Sequence, residues 1–453
     1  MNLPNYFLAD LPPEATLTPE LVAEACQTLK RNREQYLARR TTAQLITVLA
    51  AVGASWLRPE DPFRRLALER APSETGFSSA TLARGLDAFF RELTAEKLGA
   101  LVTAELGHAA RLDGFCADAQ EQRQARMGLA LGPELIAHVA AGNLPSPALH
   151  SLVLGILLRS AQFLKCATGG AWVPRLFAHS LYELDPKLGA CLEVAVWPGG
   201  SKPVEAALFA EADVVTATGS EETLADIRGR LPGRTRFLGY GHRVSFAFIA
   251  AEVLTAFNVP RLVARAAEDV IAWDQLGCLS PHVIYVEQGG AAHAEQFAEQ
   301  LAAELAAREQ QEPRGPLPAE TAAHIAARRG LYEVRAAHSP ATRQWCSEGS
   351  TAWTVVFEED PRFQASCLNR FIYVKPVAAL ADALAAADPV RRQVSTVGVA
   401  VPEHTLGEVA ATLARWGATR VCPLGRMQEP PLGWRHDGRP TLADLVTWTD
   451  LEI

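Results

Sequence analysis

The sequence predicts a mixed α/β protein with a parallel sheet, on two observations. From about residue 134 onward, three β–α units follow one another, which is typical of parallel strands joined by crossover helices. A turn separates each strand from the next helix, as at Gly142-Asn-Leu-Pro-Ser-Pro147. The first third of the chain shows helical periodicity instead. At 453 residues, the chain is long enough for two domains.

The individual elements follow from periodicity and from capping residues. Helices are predicted over 19–40, 41–57 and 79–98, the last with Ser79 as its cap. In the first β–α unit, Ser146 is predicted to cap the helix and Pro147 to be its first residue. The stretch 309–318 is rich in proline and predicts a surface loop. The predicted strands are 135–141, 162–166, 191–197 and 213–217, and the helices that follow them end near residues 160, 184, 211 and 230.

The composition excludes several classes of protein. A net charge of −8 gives no reason to expect nucleic acid as a partner. The eight cysteines lack the paired spacing of metal ligands, so we expect reduced thiols and no metal site. Residues 1–10 do not resemble a signal peptide. The most apolar stretch, 149–164, is interrupted by His150 and Arg159 and is too short to span a bilayer. These features predict a cytoplasmic protein without a membrane span.

Cys278 is the candidate nucleophile. It follows a run from Leu262 to Trp273 with helical spacing, and Gly277 is predicted to break that helix. A thiol at the end of an element can face a cleft and form a thioester. The alternative is a small, buried apolar side chain, which is the usual role of a lone cysteine. Asp274 is interpreted as a solvated carboxylate at the end of the helix.

Further candidates follow the predicted strands, at the edge where parallel sheets bind ligands. Asn143 follows the first strand, Lys165 ends the second, and Gly199 lies in the turn after the third. Gly219 and Ser220 open a helix whose N–H groups suit a phosphate. Simpler interpretations of these residues stay open. Asn143 also fits a turn residue, Lys165 a strand end that reaches solvent, and the Gly-Ser pair an ordinary cap.

Taken in order, these residues resemble the aldehyde dehydrogenase superfamily from about residue 130 onward. The Asn-x-Pro turn of that superfamily is matched by Asn143-Leu-Pro145, and its segment before the cysteine by Asp274-Gln-Leu-Gly277. The runs 422–438 and 445–450 resemble the long-chain acyl-CoA reductases, including the fatty acid reductase of bacterial bioluminescence. The resemblance implies an aldehyde dehydrogenase-like fold. It would comprise a Rossmann-like cofactor domain with a helical N-terminal part (1–244), an α/β catalytic domain (245–420), and a segment (421–453) that packs back at the active site or an oligomer interface.

The resemblance also implies a role for each candidate. Cys278 would carry an acyl thioester, and the Asn143 side chain with the Cys278 backbone N–H would stabilise the oxyanion. Thr168 stands where many NAD-specific members have a glutamate. Threonine does not repel a 2′-phosphate, so NADPH is the expected cofactor and NADH stays open. The residues implied in cofactor binding are Lys165, Thr168, Gly199, Gly219 and Ser220.

Two departures from the superfamily pattern bear on the reaction. Hydrolytic members use a glutamate to activate water, and Gly239 stands in its place. The glutamate that positions the nicotinamide ribose is missing from 371–377. The expected reaction is therefore NADPH-dependent reduction of long-chain acyl-CoA to the aldehyde, with release of CoA. The alternatives are a hydrolytic aldehyde dehydrogenase, an acyl-phosphate reductase, a non-reducing acyltransferase, and a non-catalytic partner in a reductase complex.

Partners are implied only by the resemblance. It suggests acyl-CoA as substrate, with an acyl carrier protein as an alternative donor, a homo-oligomer, and a synthetase or transferase partner. The helices before residue 130 are expected to complete the cofactor domain and to form a wall of the acyl site. His242 and His282 invite proton-donor roles, but neither is assigned one.

Overall fold

The computed structural model describes residues 3–12, 14–290 and 293–452. Up to residue 241, helices precede and then alternate with strands. The helices are α1 Pro19–Asn32, α2 Thr42–Trp56, α3 Pro62–Thr75, α4 Ser79–Phe90, α5 Ala95–Leu106, α6 Ala119–Arg123, α7 Ser146–Leu157, α8 Trp172–Leu184, α9 Pro186–Gly189, α10 Lys202–Glu211 and α11 Glu221–Arg230. The strands are β1 Arg126–Leu131, β2 Leu135–Val139, β3 Ala161–Cys166, β4 Leu192–Val196, β5 Val214–Thr218 and β6 Arg236–Tyr240.

The rest of the chain is a second α/β arrangement, followed by a final strand. The helices are α12 Val259–Ile271, α13 Ala294–Gln311, α14 Ala319–His338, α15 Leu380–Ala387 and α16 Glu403–Trp416. The strands are β7 Val244–Ile249, β8 Pro281–Glu287, β9 Thr342–Cys346, β10 Thr354–Glu358, β11 Phe371–Val377, β12 Val394–Ala400, β13 Arg420–Pro423 and β14 Thr447–Glu452.

These elements form two compact units. The first unit contains residues 1–75, 86–241 and 431–453, and the second contains 76–85 and 242–430. The main division of the chain therefore falls between residues 241 and 242, three residues before the predicted boundary. The last segment, predicted as 421–453, is divided at residue 430, so that β13 belongs to the second unit and β14 to the first.

The first unit is built on a five-stranded parallel sheet in the order β4-β3-β2-β5-β6. One face is covered by α1, whose Val22, Cys26 and Leu29 are buried in one apolar cluster with Leu135 and Phe163 of the sheet. A separate two-stranded ribbon pairs β1 with β14 in antiparallel register. The sheet order is that of a Rossmann-like fold.

The second unit is built on a seven-stranded sheet in the order β13-β12-β7-β8-β11-β10-β9. All neighbouring pairs are parallel except β10 with β9. One apolar cluster joins strands to α12 and α13, and a second joins them to residues of α14, α15 and α16. The sheet is therefore buried on both faces, as expected for a parallel sheet with crossover helices.

Several predicted boundaries differ from the structure. The helix predicted over 79–98 is two helices, α4 and α5, separated by residues 91–94. The predicted cap Ser79 is wrong, because the Ser78 hydroxyl accepts the Thr81 N–H at 3.1 Å. Ser146 is the first residue of α7 rather than its cap. The loop predicted from residue 309 begins later, since α13 continues to Gln311. Within the described ranges, no helix has both the length and the apolar character needed to cross a membrane.

Candidate active site

A cleft opens in the first unit at the carboxyl ends of β2 and β5. These strands are neighbours, and the strand order proceeds outward from them in opposite directions, so they form the topological switch point of the sheet. Ligands of open parallel sheets bind at such points. The cleft is shallow and open to solvent: its enclosed space is about 20 Å³. It is lined by His138, Val139, Ala140, Ala141, Asn143, Leu144, Pro147, Ala148, Ser151, Leu164, Thr216 and Thr218.

A buried polar network supports the floor of this cleft. His138 Nδ1 lies 2.7 Å from Thr216 Oγ1, and its Nε2 lies 3.0 Å from Gln162 Oε1. The Gln162 amide nitrogen donates to the Leu152 carbonyl, so its oxygen faces the histidine as an acceptor. His138 Nε2 therefore carries the proton, and Nδ1 accepts from Thr216. Burial lowers the pKa of His138 to about 4, which keeps the ring neutral.

The loops that carry Asn143, the predicted oxyanion donor, and Thr168, a predicted cofactor residue, meet at this edge of the sheet. Asn143 lines the cleft after β2, and Thr168 lies in the turn after β3. A Cβ atom on Gly170 would lie 3.0 Å from the Cα of Gly142, so the two loops touch through their backbones. Glycine at both positions permits this approach. The arrangement leaves peptide groups, rather than side chains, at the edge of the sheet.

Lys165 is buried at the end of β3. Its side chain is only 5% exposed, so the alternative of a strand end that reaches solvent is wrong. Burial lowers the pKa of the ammonium group, while the negative charge of Glu205 acts in the opposite direction. A buried cation at a strand end can bind hydroxyl or phosphate oxygens of a ligand.

Gly199, Gly219 and Ser220 follow the next strands at the same edge. Gly199 lies in the turn after β4, where an added Cβ would meet no atom within 4 Å. Ser220 is the N-cap of α11, and its hydroxyl accepts the Thr223 N–H at 3.3 Å. Ser220 therefore caps helix α11. The first turn of α11 also contains Glu221 and Glu222, whose charges oppose the binding of a phosphate at this helix end.

In the second unit, the segment before Cys278 leaves the helix earlier than predicted. Helix α12 ends at Ile271, and Trp273, Asp274 and Gln275 have φ values of 52°, 49° and 64°. Three consecutive non-glycine residues in the left-handed region cost about 1–3 kcal/mol each, so other contacts have to fix them. The break thus occurs at Trp273–Gln275, and the prediction that Gly277 ends the helix is wrong.

Asp274 is held by a buried ion pair. Arg370 Nε lies 2.9 Å and Nη2 2.7 Å from Asp274 Oδ1, and the Gly315 N–H donates to the other oxygen at 3.3 Å. The side chains of Asp274 and Arg370 are 4% and 1% exposed. Burial raises the pKa of Asp274, and Arg370 opposes that shift. The interpretation of Asp274 as a solvated carboxylate is wrong.

Gln275 fixes the same segment to two strands. Its amide nitrogen donates to the carbonyls of Pro281 and Phe371, at 2.8 and 2.9 Å, and its oxygen accepts the Phe371 N–H at 2.7 Å. The residue is fully buried. The side chain therefore ties the approach to Cys278 to the first residues of β8 and β11.

Cys278 lies in a tight turn between this segment and β8. The Ser280 N–H donates to the Gly277 carbonyl at 2.9 Å, which places Cys278 and Leu279 in the middle of the turn. The Ser245 hydroxyl donates to the Cys278 carbonyl at 2.8 Å. Cys278 is partly exposed, so the fully buried alternative is excluded. A thiol on a fixed, accessible turn is suited to nucleophilic attack.

His282 lies four residues beyond Cys278 and is a neutral, buried ring. Burial lowers its pKa to about 4, and the Ser366 N–H donates to its Nδ1 at 3.0 Å. The proton of the neutral ring is therefore on Nε2. A ring with this pKa is not an acid at neutral pH, which argues against a role as proton donor.

Gly239 occupies the position that the resemblance assigns to the water-activating glutamate. It lies in β6, and a Cβ there would lie 3.0 Å from the Phe237 ring and 3.3 Å from Leu224. Its carbonyl accepts a hydrogen bond of 2.9 Å from Arg439. A larger side chain would have to displace these neighbours. The position therefore has little room for a base.

Comparison with known proteins decides the family. Residues 37–448 match the family described as Acyl-CoA reductase (LuxC). The chain belongs to the LuxC family. Its relatives include long-chain acyl-protein thioester reductases of Photorhabdus luminescens, 24% identical, and Photorhabdus laumondii, 24% identical. The first match covers 70% of this chain and 63% of the relative, and the second covers 53% and 49%.

Solved structures place this LuxC-family chain in the aldehyde dehydrogenase fold. A NAD-dependent benzaldehyde dehydrogenase from Corynebacterium glutamicum matches with a TM-score of 0.67 at 11% identity, over 99% of this chain and 94% of that one. A proline utilization A variant from Bradyrhizobium japonicum matches with a TM-score of 0.72 at 15% identity, over 96% and 45%. The predicted fold and the predicted family are confirmed.

Sequence reasoning missed the residues that support the cleft and the Cys278 turn of this LuxC-family chain. Ser245 and His138 were not singled out, although each is a polar residue inside an otherwise apolar strand. That signal was available, because a polar side chain in a buried strand needs a partner. Gln275 and Arg370 carried no comparable signal, since neither lies within a pattern that indicates burial.

Proposed function

We propose that this chain reduces a long-chain acyl thioester to the aldehyde through an acyl thioester on Cys278. The observation that carries the proposal is the partly exposed Cys278 on a turn fixed by Ser245, in a LuxC-family chain. The cysteine sulfur would attack the thioester carbon and expel the donor thiolate. Reduction of this acyl thioester would break the bond between the carbon and the cysteine sulfur, so that the aldehyde leaves and the Cys278 thiolate is regenerated.

A nicotinamide nucleotide bound to the first unit would supply the hydride. The residues there fit such a group, because the glycine-lined loops after β2 and β3 allow a close approach and Lys165 is a buried cation at the sheet edge. Lys165, Thr168 and Gly199 would hold it; the resemblance also assigns Gly219 and Ser220, although the charges of Glu221 and Glu222 at that helix end oppose a phosphate. We propose NADPH because Thr168 adds no negative charge beside a 2′-phosphate. The roles of these residues, and of Asn143 as an oxyanion donor, rest on the superfamily resemblance.

The proposed donor is acyl-CoA. The named relatives are acyl-protein thioester reductases, so an acylated protein is the second donor to be compared. Both donors present the same thioester carbon to a nucleophile. The crowded surroundings of Gly239 support reduction over hydrolysis, because a water-activating base has little space there.

Radioactive acyl-CoA labelling of the protein tests the proposal. Wild-type protein without cofactor is expected to retain label, Cys278→Ala to retain none, and the control Cys346→Ala, in β9 of the same unit, to label as the wild type does. Added NADPH is expected to release the label as aldehyde. Undiminished labelling of Cys278→Ala would overturn the assignment. An acylated carrier protein and NADH, run in parallel, identify the preferred donor and cofactor.

A further inference from the structure

The C-terminal end of the second unit contains a segment that reaches the Cys278 turn. The Gln428 amide nitrogen donates to the Ser280 hydroxyl at 2.6 Å. The same amide packs against Gly277, where a Cβ atom would overlap it. One side chain therefore contacts both the first and the last residue of the turn. No step of the proposed reaction uses Gln428 directly.

The backbone that carries Gln428 is itself fixed. Asp269, in the last turns of α12, accepts the N–H groups of Gly425 and Met427 at 2.6 and 2.8 Å. Arg420 donates to the Met427 carbonyl at 2.6 Å and to the Arg426 carbonyl at 2.9 Å. Four hydrogen bonds thus fix the backbone of the three residues before Gln428. The amide is presented from a rigid support rather than from a loose loop.

The helix that leads to Cys278 is part of the same support. Asp269 is 2% exposed and lies five residues before Asp274 in the chain. Its carboxylate connects α12 to the 425–427 backbone, and Gln428 connects that backbone to the turn. Helix α12 therefore supports the segment that leads into the turn, and the Gln428 amide contacts both ends of the turn.

We propose that Gln428 is a positioning residue for Cys278, acting through Ser280 and Gly277. Its amide holds the turn so that the cysteine sulfur and the Cys278 backbone N–H keep the orientation needed for attack on the thioester. A displacement of about 1 Å in such a geometry costs about 100-fold in rate. The consequence for acylation rests on the proposed function, whereas the order of the turn does not.

The test compares Gln428→Ala with Gln393→Ala, which removes an exposed glutamine of the same unit. Hydrogen–deuterium exchange is measured by mass spectrometry, and single-turnover acylation from acyl-CoA is measured by rapid quench. Gln428→Ala is expected to raise exchange at least tenfold within residues 276–280 only, and to slow acylation about 10- to 100-fold with unchanged acyl-CoA affinity. Gln393→Ala is expected to change neither quantity.

Two further variants keep the test decisive. Ser280→Ala removes the partner hydroxyl, and the double variant with Gln428→Ala is expected to acylate no more slowly than the slower single variant, because both remove one shared contact. Gln428→Glu cannot donate to Ser280, but its carboxylate can accept if the Ser280 hydroxyl turns to donate, so it is expected to restore part of the protection of 276–280. If Gln428→Ala fails to fold, Ser280→Ala reports on the same contact.

The outcomes separate this inference from the proposed function. Exchange and acylation equal to those of Gln393→Ala would overturn it. So would a rise in exchange spread over the seven-stranded sheet, or a local rise without slower acylation, because either result describes a merely structural residue. If the wild-type protein forms no acyl-enzyme with any thioester, the proposed function fails. Unchanged hydrogen exchange in residues 276–280 of Gln428→Ala would overturn the positioning role, whether or not the protein forms an acyl-enzyme.

Discussion

The Ser245 hydroxyl donates a hydrogen bond of 2.8 Å to the backbone carbonyl of Cys278. The same oxygen accepts the Thr396 N–H at 3.1 Å, so one side chain in β7 joins the cysteine turn to β12. Ser245 is fully buried. A buried hydroxyl with a donor and an acceptor partner is satisfied, and it fixes the direction of the Cys278 peptide group.

Replacement of Ser245 by alanine is expected to lower both stability and acylation rate. The buried Thr396 N–H and the partly buried Cys278 carbonyl would lose a partner, at a cost of about 1–3 kcal/mol in the free energy of unfolding. The matched control is Ser395→Ala in β12, since the Ser395 hydroxyl is equally buried and has no hydrogen-bond partner within the described residues. Urea unfolding and single-turnover acylation measure the two effects. Equal values for both variants would contradict the prediction.

Removal of one partner of the Asp274–Arg370 pair is expected to destabilise the second unit strongly. Both side chains are buried, and breaking a buried pair costs about 3–5 kcal/mol because Asp274 is left without its partner; Arg370 also pairs with the partly exposed Glu309. Arg370→Met is the test variant. Arg362→Met breaks the exposed pair with Asp360 and is expected to leave the unfolding midpoint unchanged.

The double variant Asp274→Ala/Arg370→Met makes this prediction sharper. It removes both buried charges together, so it is expected to be more stable than Arg370→Met alone. Unfolding in guanidinium chloride measures the difference. A double variant less stable than either single variant would mean that the two side chains do not act as a pair.

Replacement of Thr168 by glutamate is expected to weaken NADPH binding more than NADH binding. A carboxylate about 4 Å from a 2′-phosphate raises the binding free energy by roughly 1–4 kcal/mol, depending on the local dielectric. A tenfold rise in the NADPH Kd corresponds to about 1.4 kcal/mol. Fluorescence titration with both nucleotides measures the ratio, and Thr103→Glu adds the same charge to α5 as a control. Parallel weakening of both nucleotides would place the 2′-phosphate elsewhere.

The sequence predicted those parts of the fold that depend on local pattern. The strands β2 to β5 and the helices α7, α8 and α10 follow from runs of apolar residues bounded by turn residues, and they lie within a few residues of the predicted positions. Cys278 was recognised for the same reason, since the helix and the turn around it are local in sequence. Motif order then indicated the superfamily.

Contacts between residues that are far apart in the chain could not be predicted from the sequence. Gln428 and Ser280 are 148 residues apart, and Ser245 and Cys278 are 33 apart. Their meeting depends on the order of strands in the seven-stranded sheet, which no local pattern specifies. The left-handed residues 273–275 also lack a signal, because no glycine marks them. The interpretation of Asp274 was wrong because its partner Arg370, directly before β11, lies 96 residues away in the chain.

His138 makes the stability of the first unit depend on pH. An unfolded histidine has a pKa of about 6.5, whereas burial lowers that of His138 to about 4, with the Gln162 contact acting in the opposite direction. Between these values the unfolded chain binds a proton that the folded chain does not. Stability is therefore present above pH 6.5 and is lost as the pH falls toward 4, by about 3 kcal/mol over the whole range.

The variant His138→Gln removes this titration and is expected to flatten the pH dependence of unfolding between pH 6.5 and 4. Its stability at neutral pH is expected to fall, because glutamine does not reproduce the ring contacts with Thr216 and Gln162. The control His404→Gln replaces an exposed histidine on α16 and is expected to leave the slope unchanged. Urea unfolding at half-unit pH intervals gives both slopes. Since burial also lowers the pKa of His150, in the same unit, and of His282 to about 4, the slope in His138→Gln is expected to become shallower rather than to vanish. A slope identical to that of His404→Gln would show that His138 becomes protonated without a cost to the fold.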